Sequence, residues 1–493
     1  MQTLRSTTMN NFSKYRKLAL VLPLTLGLSA CNKGLDEINA NPNNPEVGTP
    51  AFLLTNAERS NVFRLFDVPA NQDGGLLIVQ YWAKAQYTTE DRYGFRPGSY
   101  QSIWDGFYAG GLQDLNQIKQ LSADNPNQKA VASIMSDYLF SVLTDIYGDI
   151  PYSEALRISE GKLNPKYDSQ QEVYASLIAD LGVAANALNS SGKAIEGDII
   201  YGGDADKWKR FANSLRLRLA MRQADANDAA SRTVVAQLLN GSTSLIASNE
   251  DNAQLDFLGA TPNTNPVYVN RLTRDDHRVS RTLVSRLTRL NDPRLSVFAD
   301  HPACGDSTAF YRGIPNGLSN AEAAGFNPLC STSKVGSYFT GATAPGVLMT
   351  YAEVLFFKSE AIARGYITGD AALEYRNAIT ASMSQYGFTG TDVATYLAQP
   401  AVAYNAANYK LSIGNQKWIA LYGQGIEAWS EFRRLDAPVL RVAKRPVSAA
   451  GGRIPARFPY PALEQSLNQT NYAVAVARQG ADVLSTKLWW DRF

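Results

Sequence analysis

Residues 131–151 read VASIMSDYLFSVLTDIYGDIP, and their spacing decides the fold class. Val131, Ile134, Met135, Tyr138, Leu139, Val142, Leu143 and Ile146 recur at steps of three and four, which puts them on one face of an α-helix. Gly148 and Pro151 then stop it. The helical period returns after Ser169-Gln170-Gln171-Glu172, a capping-box spacing followed by Val173, Leu177 and Leu181. It returns again in Trp208, Phe211, Ala212, Leu215 and Leu219, where Lys209, Arg216 and Arg218 fall off the apolar face. Leu348, Tyr351, Ala352, Leu355, Ser359 and Ile362 form a further helix stopped near Gly365, and Ala371, Tyr375, Ala378, Ile379 and Met383 the next, stopped near Gly387. These two make a hairpin of about 40 residues with alanines and aromatics where the helices cross, the size class of tetratricopeptide-like units. Trp418, Ala420, Leu421, Gly423 and Ala428 mark a second such unit. The chain from residue 50 onward therefore reads as mostly α.

Two stretches, 70–102 and 301–346, lose that period. Long irregular segments inside a compact domain are usually functional or disordered. Both are rich in aromatic residues: Tyr81, Trp82, Tyr87, Tyr93 and Phe95 in the first, Phe310, Tyr311 and Tyr338 in the second. With Tyr268 these are the candidate ligand-binding residues. Flat rings stack on the apolar faces of pyranose rings while polar groups at the rim bond hydroxyls. The competing reading is that the rings pack loops onto the core. On the first reading Trp82→Ala and Tyr338→Ala weaken ligand binding by about 1 kcal/mol per ring with little effect on folding.

The N-terminus supplies an address. Lys14, Arg16 and Lys17 precede the apolar run Leu18–Leu28, which is too short to span a bilayer. The run closes on Leu28-Ser29-Ala30-Cys31, a leucine, two small residues and a cysteine. This is the pattern of a bacterial lipoprotein signal, with residues 1–30 removed and Cys31 lipidated. Residues 31–49, rich in Asn, Pro and Gly, read as a tether. No later stretch approaches eighteen uninterrupted apolar residues, so membrane contact is expected through the lipid alone. Lys and Arg total 47 against 45 Asp and Glu. Four of the basic residues (Arg5, Lys14, Arg16, Lys17) precede Cys31 and no acid does, which leaves the mature chain near neutral and gives no sign of a nucleic-acid partner.

With Cys31 assigned to lipid, Cys304 and Cys330 remain as a pair in an oxidising compartment, and a disulfide between them is expected. In the chain-entropy model it contributes about 3 to 4 kcal/mol. A metal site of His301, Cys304 and Cys330 is the alternative, with a single histidine near; neither metal nor cofactor is expected.

Catalytic equipment is sparse. The chain has two histidines, His277 and His301. It carries no Gly-x-Ser-x-Gly elbow, Walker loop, His-Glu-x-x-His or Cys-x-x-Cys. Asp275-Asp276 or Glu250-Asp251 are the places where paired carboxylates could hydrolyse a glycosidic bond. Three functions stay open on the residues alone: a glycan-capture lipoprotein, a lipid-anchored glycoside hydrolase and a structural helical-repeat adaptor.

Several segments in order along the chain resemble the SusD/RagB family of outer-membrane nutrient-uptake lipoproteins. They are Leu35-Asp36-Glu37-Ile38-Asn39 with Asn41-Pro42-Asn43; residues 104–116; Leu143 to Tyr152; Trp208 to Leu215; Asp292-Pro293-Arg294-Leu295; Tyr351-Ala352-Glu353; Gln416 to Ala420; Trp429 to Arg434; and Ile454 to Pro461 with Asn468. The resemblance implies tetratricopeptide-like helical repeats, four in number, packed against an irregular, loop-rich ligand-binding half. It also implies no enzyme activity, an outer-membrane location facing the cell exterior, and a SusC-like TonB-dependent transporter as partner, to which oligosaccharides or peptides are delivered.

Overall fold

In the computed structural model residues 48–304 and 310–492 are described. The signal sequence, Cys31, the tether to residue 47 and the Leu35–Asn43 motif lie outside them. From Pro50 onward the chain forms a single contact unit.

Helix α1 (Pro50–Phe66) packs on α2 (Gln113–Leu121), which pairs with α3 (Pro126–Tyr147). Helices α4 (Gln170–Ala187) and α5 (Ala205–Arg222) form the next pair, α6 (Tyr351–Ala363) and α7 (Ala371–Ser384) another, and α8 (Tyr409–Ala420) and α9 (Gly425–Leu435) the last. Helix α4 lies on α3, and α6 touches both α5 and α8, so the early and late pairs share one core. Local chemistry explains the boundaries. Asn125 caps α3 by accepting from Gln128 N at 3.2 Å, with Pro126 at the first helical position. Gly148 ends it at φ +87°, a left-handed turn that glycine takes without steric cost. The capping box of Ser169 and Glu172 is present at the start of α4. Leu348 belongs not to α6 but to the strand before it, because Thr350 caps the helix and sets its start at Tyr351.

The helices are buried on more than one face, and many of the polar residues this encloses are paired, although Asn61 of α1 and Asp137 of α3 keep buried side-chain atoms without a hydrogen-bond partner. Ser136 and Ser141 on α3 donate to the carbonyls of Ala132 and Tyr138 at 2.8 and 2.6 Å. Arg218, off the apolar face in the sequence, is buried because α4 and α6 both cover α5. It donates to Glu353 of α6 at 2.7 and 2.8 Å. Arg222 reaches Asp145 of α3 at 3.1 Å. Arg434 of α9 forks onto Glu360 of α6 with two bonds of 2.7 Å and also holds Glu431, which accepts from Lys417 of α8 at 2.8 Å. Asp292 and Arg294 form a further buried pair at 2.6 Å. Five of the motif segments quoted above thus contribute to buried ion pairs. Their role is to fix which helix meets which, since an unpaired charge in this core would be strongly destabilising.

Sheet structure is sparse. Strand β1 (Trp82–Lys84) pairs antiparallel with β3 (His277–Val279), β2 (Ala253–Leu255) with β4 (Gly346–Met349), and residues 150–151 with 167–168. The stretch 70–102 is more regular than its sequence period indicates. A π-helical turn Val68–Gly75 runs into Leu76–Ile78, then β1, and Pro97–Asp105 is an α-helix. Leu76-Leu77-Ile78-Val79 is apolar on every side and is wholly buried, which removes the amphipathic signal. Among the described residues of the stretch 301–346 the helices are short, such as Asn320–Ala324 with a Ser319–Glu322 capping box and Ser337–Thr340. Cys304 is disulfide-bonded to Cys330 with their Cα atoms 5.0 Å apart. No described helix is long and apolar enough to cross a membrane.

Candidate ligand-binding face

The β1–β3 ribbon organises the site. Its register sets Lys84 opposite His277, and both reach Asp73, which the π-helical turn brings beneath them. Lys84 Nζ is 3.0 Å and His277 Nε2 2.7 Å from Asp73 Oδ1, while Asp276 approaches Lys84 at 3.6 Å. Burial pushes the Asp73 carboxyl up, but the His277 and Lys84 contacts outweigh it and hold its pKa down to about 2. A fixed carboxylate therefore sits at the floor of a cleft of about 230 Å³, whose walls include Glu90, Arg96, Ser99, Asn270 and Arg274.

Tyr87 stands at the edge of this cleft. The residue is 53% exposed, and its backbone sits at φ +52°, an outlier for a bulky residue. The neighbours explain how it is held. Gln86 Nε2 donates to Asp276 at 3.1 Å, and Thr88 N donates to Asn320 Oδ1 at 3.0 Å, so the chain is pinned on both sides and the ring projects into solvent. The guanidinium of Arg274 lies 5.3 Å from the ring centroid. An open aromatic face beside donors, acceptors and a fixed charge is the arrangement that binds a sugar ring: apolar face on the ring, hydroxyls to the polar wall.

A second aromatic group lies across the short helix Pro266–Arg271, which packs on both the π-helical turn and Ser337–Thr340. Tyr338, 40% exposed, meets Phe339 and Tyr386 edge-on with centroids 4.9 and 5.4 Å away. Beneath them Phe339 packs on Tyr422, which stacks on Phe298 at 4.2 Å. Trp82 Nε1 donates to the Tyr422 hydroxyl at 3.0 Å. The slot here is narrow, about 30 Å³, so Tyr338 offers a surface rather than a chamber. Half-buried Tyr268 lies on the intervening helix.

The structure divides the sequence candidates. Tyr87 and Tyr338 are exposed, each beside a different cavity, and Tyr268 is half-buried. Phe310 and Tyr311 adjoin His301, whose ring stacks on Tyr311 at 4.2 Å; the preceding Asp300 accepts from Ser337 N at 3.3 Å, which ties this group to the Tyr338 segment. Tyr81, Trp82 and Tyr93 are core residues. Tyr81 donates to the Trp418 carbonyl and packs on its ring at 4.8 Å, and the Tyr93 hydroxyl accepts from Ala443 N at 3.0 Å. Phe95 packs on Phe458 at 5.0 Å. With these faces covered, Trp82→Ala is a stability variant, against the expectation drawn from sequence. Asp73, Asn270, Arg274 and Tyr386 were not singled out there. The one signal for Asp73 is the polar, glycine-rich Asn71-Gln72-Asp73-Gly74-Gly75; Tyr386 was masked by its position at a helix end.

One acid of each adjacent pair is held by cations. Arg278 grips Asp275 at 3.1 Å through two nitrogens, with Arg271 at 3.2 Å and Lys334 at 3.5 Å. Against the upward push of burial, these cations hold Asp275 below its ordinary pKa, the opposite of what a general acid needs. Asp251 is paired with Arg210 at 2.7 Å.

Comparison with known proteins agrees with this architecture. A chitin-binding protein of known structure is 30% identical, superposes with a TM-score of 0.81, and covers 90% of this chain and all of its own. A SusD homologue from Bacteroides uniformis gives 26% identity and a TM-score of 0.80 over 90% of this chain and all of its own. A chitin-binding SusD homologue from Flavobacterium johnsoniae gives 25% and 0.78 over 90% and 98%. No curated protein sequence matches. Residues 42–461 match the family model described as SusD-like, starch-binding and associating with the outer membrane, and the chain belongs to that family.

Proposed function

We propose that this protein is a non-enzymatic lipoprotein that captures oligosaccharides at the outer-membrane surface and passes them to a SusC-like TonB-dependent transporter. The observation that carries the reading is Tyr87, an exposed residue held in a strained backbone beside the Asp73–Arg274 cleft, with Tyr338 a second exposed aromatic in the loop-rich half. Family membership and the chitin-binding neighbours support a glycan ligand. The occupied state of Asp275 and Asp251 supports binding without hydrolysis. The lipid anchor at Cys31, the outward orientation and the transporter rest on the sequence pattern and on resemblance.

The test uses the mature chain without its lipid, titrated with chito- and malto-oligosaccharides while products are followed by chromatography. Binding of one of them with no product is expected. Product release abolished by a single Asp or Glu change would replace this reading with a glycoside hydrolase. Co-purification of a barrel from membranes of the producing cells tests the transporter arm.

A further inference from the structure

Away from the Tyr87 cleft, and sharing no lining residue with it, a groove of about 650 Å³ runs between the helix Arg281–Arg289 and residues 441–444. Arg281, Arg286, Arg289 and Arg441 line it together with Lys444, and no carboxylate does. Of the acids beside this edge, Glu322 is already taken by Lys444 at 3.0 Å and Arg445 at 2.7 Å, and Asp91 accepts from Asn316 at 2.7 Å. Elsewhere in the molecule Arg218, Arg222, Arg294 and Arg434 are each buried against a carboxylate. Arg286 is the contrast: half-buried, it lies 5.3 Å over the ring of Trp418 and donates to the amide of Asn415, a neutral partner. Arg286 and Arg289 are one turn apart on the same helix face, a like-charge pair in the last turn, where the negative end of the helix dipole offsets their repulsion. Burial, with the charge of Arg289, depresses the Arg286 pKa to about 10.

The groove is also prebuilt. Gln80, at φ +59°, donates to the carbonyl of Arg441 and accepts from the Thr282 hydroxyl at 2.7 Å, which ties one wall to the other. The hydroxyls of Thr282 and Ser285 stand among the arginines.

We propose that this groove is a subsite for an anionic saccharide, one carrying carboxylate or sulfate groups; the proposal rests on the carbohydrate-capture reading above. Guanidinium forks match the two oxygens of a carboxylate or sulfate, and the volume lies in the range of small-ligand sites rather than of flat protein interfaces. The hydroxyls between the forks suit the sugar that carries the charge.

The experiment is calorimetric titration of the unlipidated mature chain at low ionic strength with an oligogalacturonate (carboxylate alone), a sulfated malto-oligosaccharide (sulfate alone), neutral chito- and malto-oligosaccharides, and polyglutamate. Binding of at least one anionic saccharide is expected, weakened by added salt. The combined variant Arg286→Gln, Arg289→Gln should lower that affinity by about ten-fold or more while leaving neutral-glycan binding and the melting temperature in place. The two anionic arms separate carboxylate from sulfate. No binding of either, binding that the variant leaves unchanged, or preference for polyglutamate overturns the subsite. If the unaltered chain binds neither neutral nor anionic saccharides, the carbohydrate reading itself is overturned, whereas neutral binding without anionic binding by the unaltered chain overturns only the subsite.

Discussion

Tyr81 and Tyr87 are six residues apart and do opposite things. Tyr81 is fully buried against Trp418, and Tyr87 is about half exposed. The same contrast separates the two halves of the molecule. In the paired helices the arginines, glutamates and aromatics are enclosed and matched, so they specify the packing. In the loop-rich half some of the same residue types are left open: Tyr87 and Tyr338 as rings, Arg274 and Arg289 as cations. Residue type alone does not assign a role; the state of its neighbours does.

The sharpest way to break this contrast is in the helical half. Arg434→Met leaves Glu360 and Glu431 without their shared fork, and we expect a loss of about 3 kcal/mol in denaturant unfolding, since both charges stay buried with only Arg364 for the first and Lys417 and Arg222 for the second to compensate them. A loss below about 1 kcal/mol would mean that the network does not organise the core. Next comes Trp82→Ala, which empties a fully packed position under Tyr422. About 3 to 4 kcal/mol of stability should go, read as a lower melting temperature. A variant that melts normally but binds glycan poorly would restore Trp82 to the ligand face.

The third test concerns the cleft floor. The folded pKa of Asp73 is about 2 against an ordinary 3.8, so its stabilising contribution is fully present above pH about 4 and is lost as pH falls through 2. That shift corresponds to about 2 kcal/mol. The Asp73→Asn variant should remove this part of the acid sensitivity, leaving a flatter stability profile between pH about 4 and 2. Equal slopes for the two proteins would contradict the assigned His277 and Lys84 contacts.

The helical half was readable because amphipathic period and caps are local signals. The stripe of residues 131–146 and the Ser169–Glu172 box lead directly to α3 and α4. The ion pairs were not readable: Arg218 and Glu353 are far apart in sequence, and nothing local says that α5 is covered on two sides. In the loop half the sequence located aromatic density but not exposure. Whether a ring such as Tyr93 or Tyr87 faces outward depends on remote partners, Ala443 for the first and Asp276 and Asn320 for the chain around the second. Asp73 and Arg274 enter the site only because strand pairing between residues 82–84 and 277–279 gathers them there.

The effect expected to be smallest in energy bears most directly on function. Tyr87→Ala combined with Tyr338→Ala removes two open rings that support little of the core, at about 1 kcal/mol of binding each. Titration of the unlipidated mature protein and this double variant with whichever chito- or malto-oligosaccharide it binds is therefore the decisive measurement. The account predicts binding weakened by roughly ten-fold or more with an unchanged melting temperature. Unchanged affinity in a variant that melts lower would show that these rings, too, belong to the core.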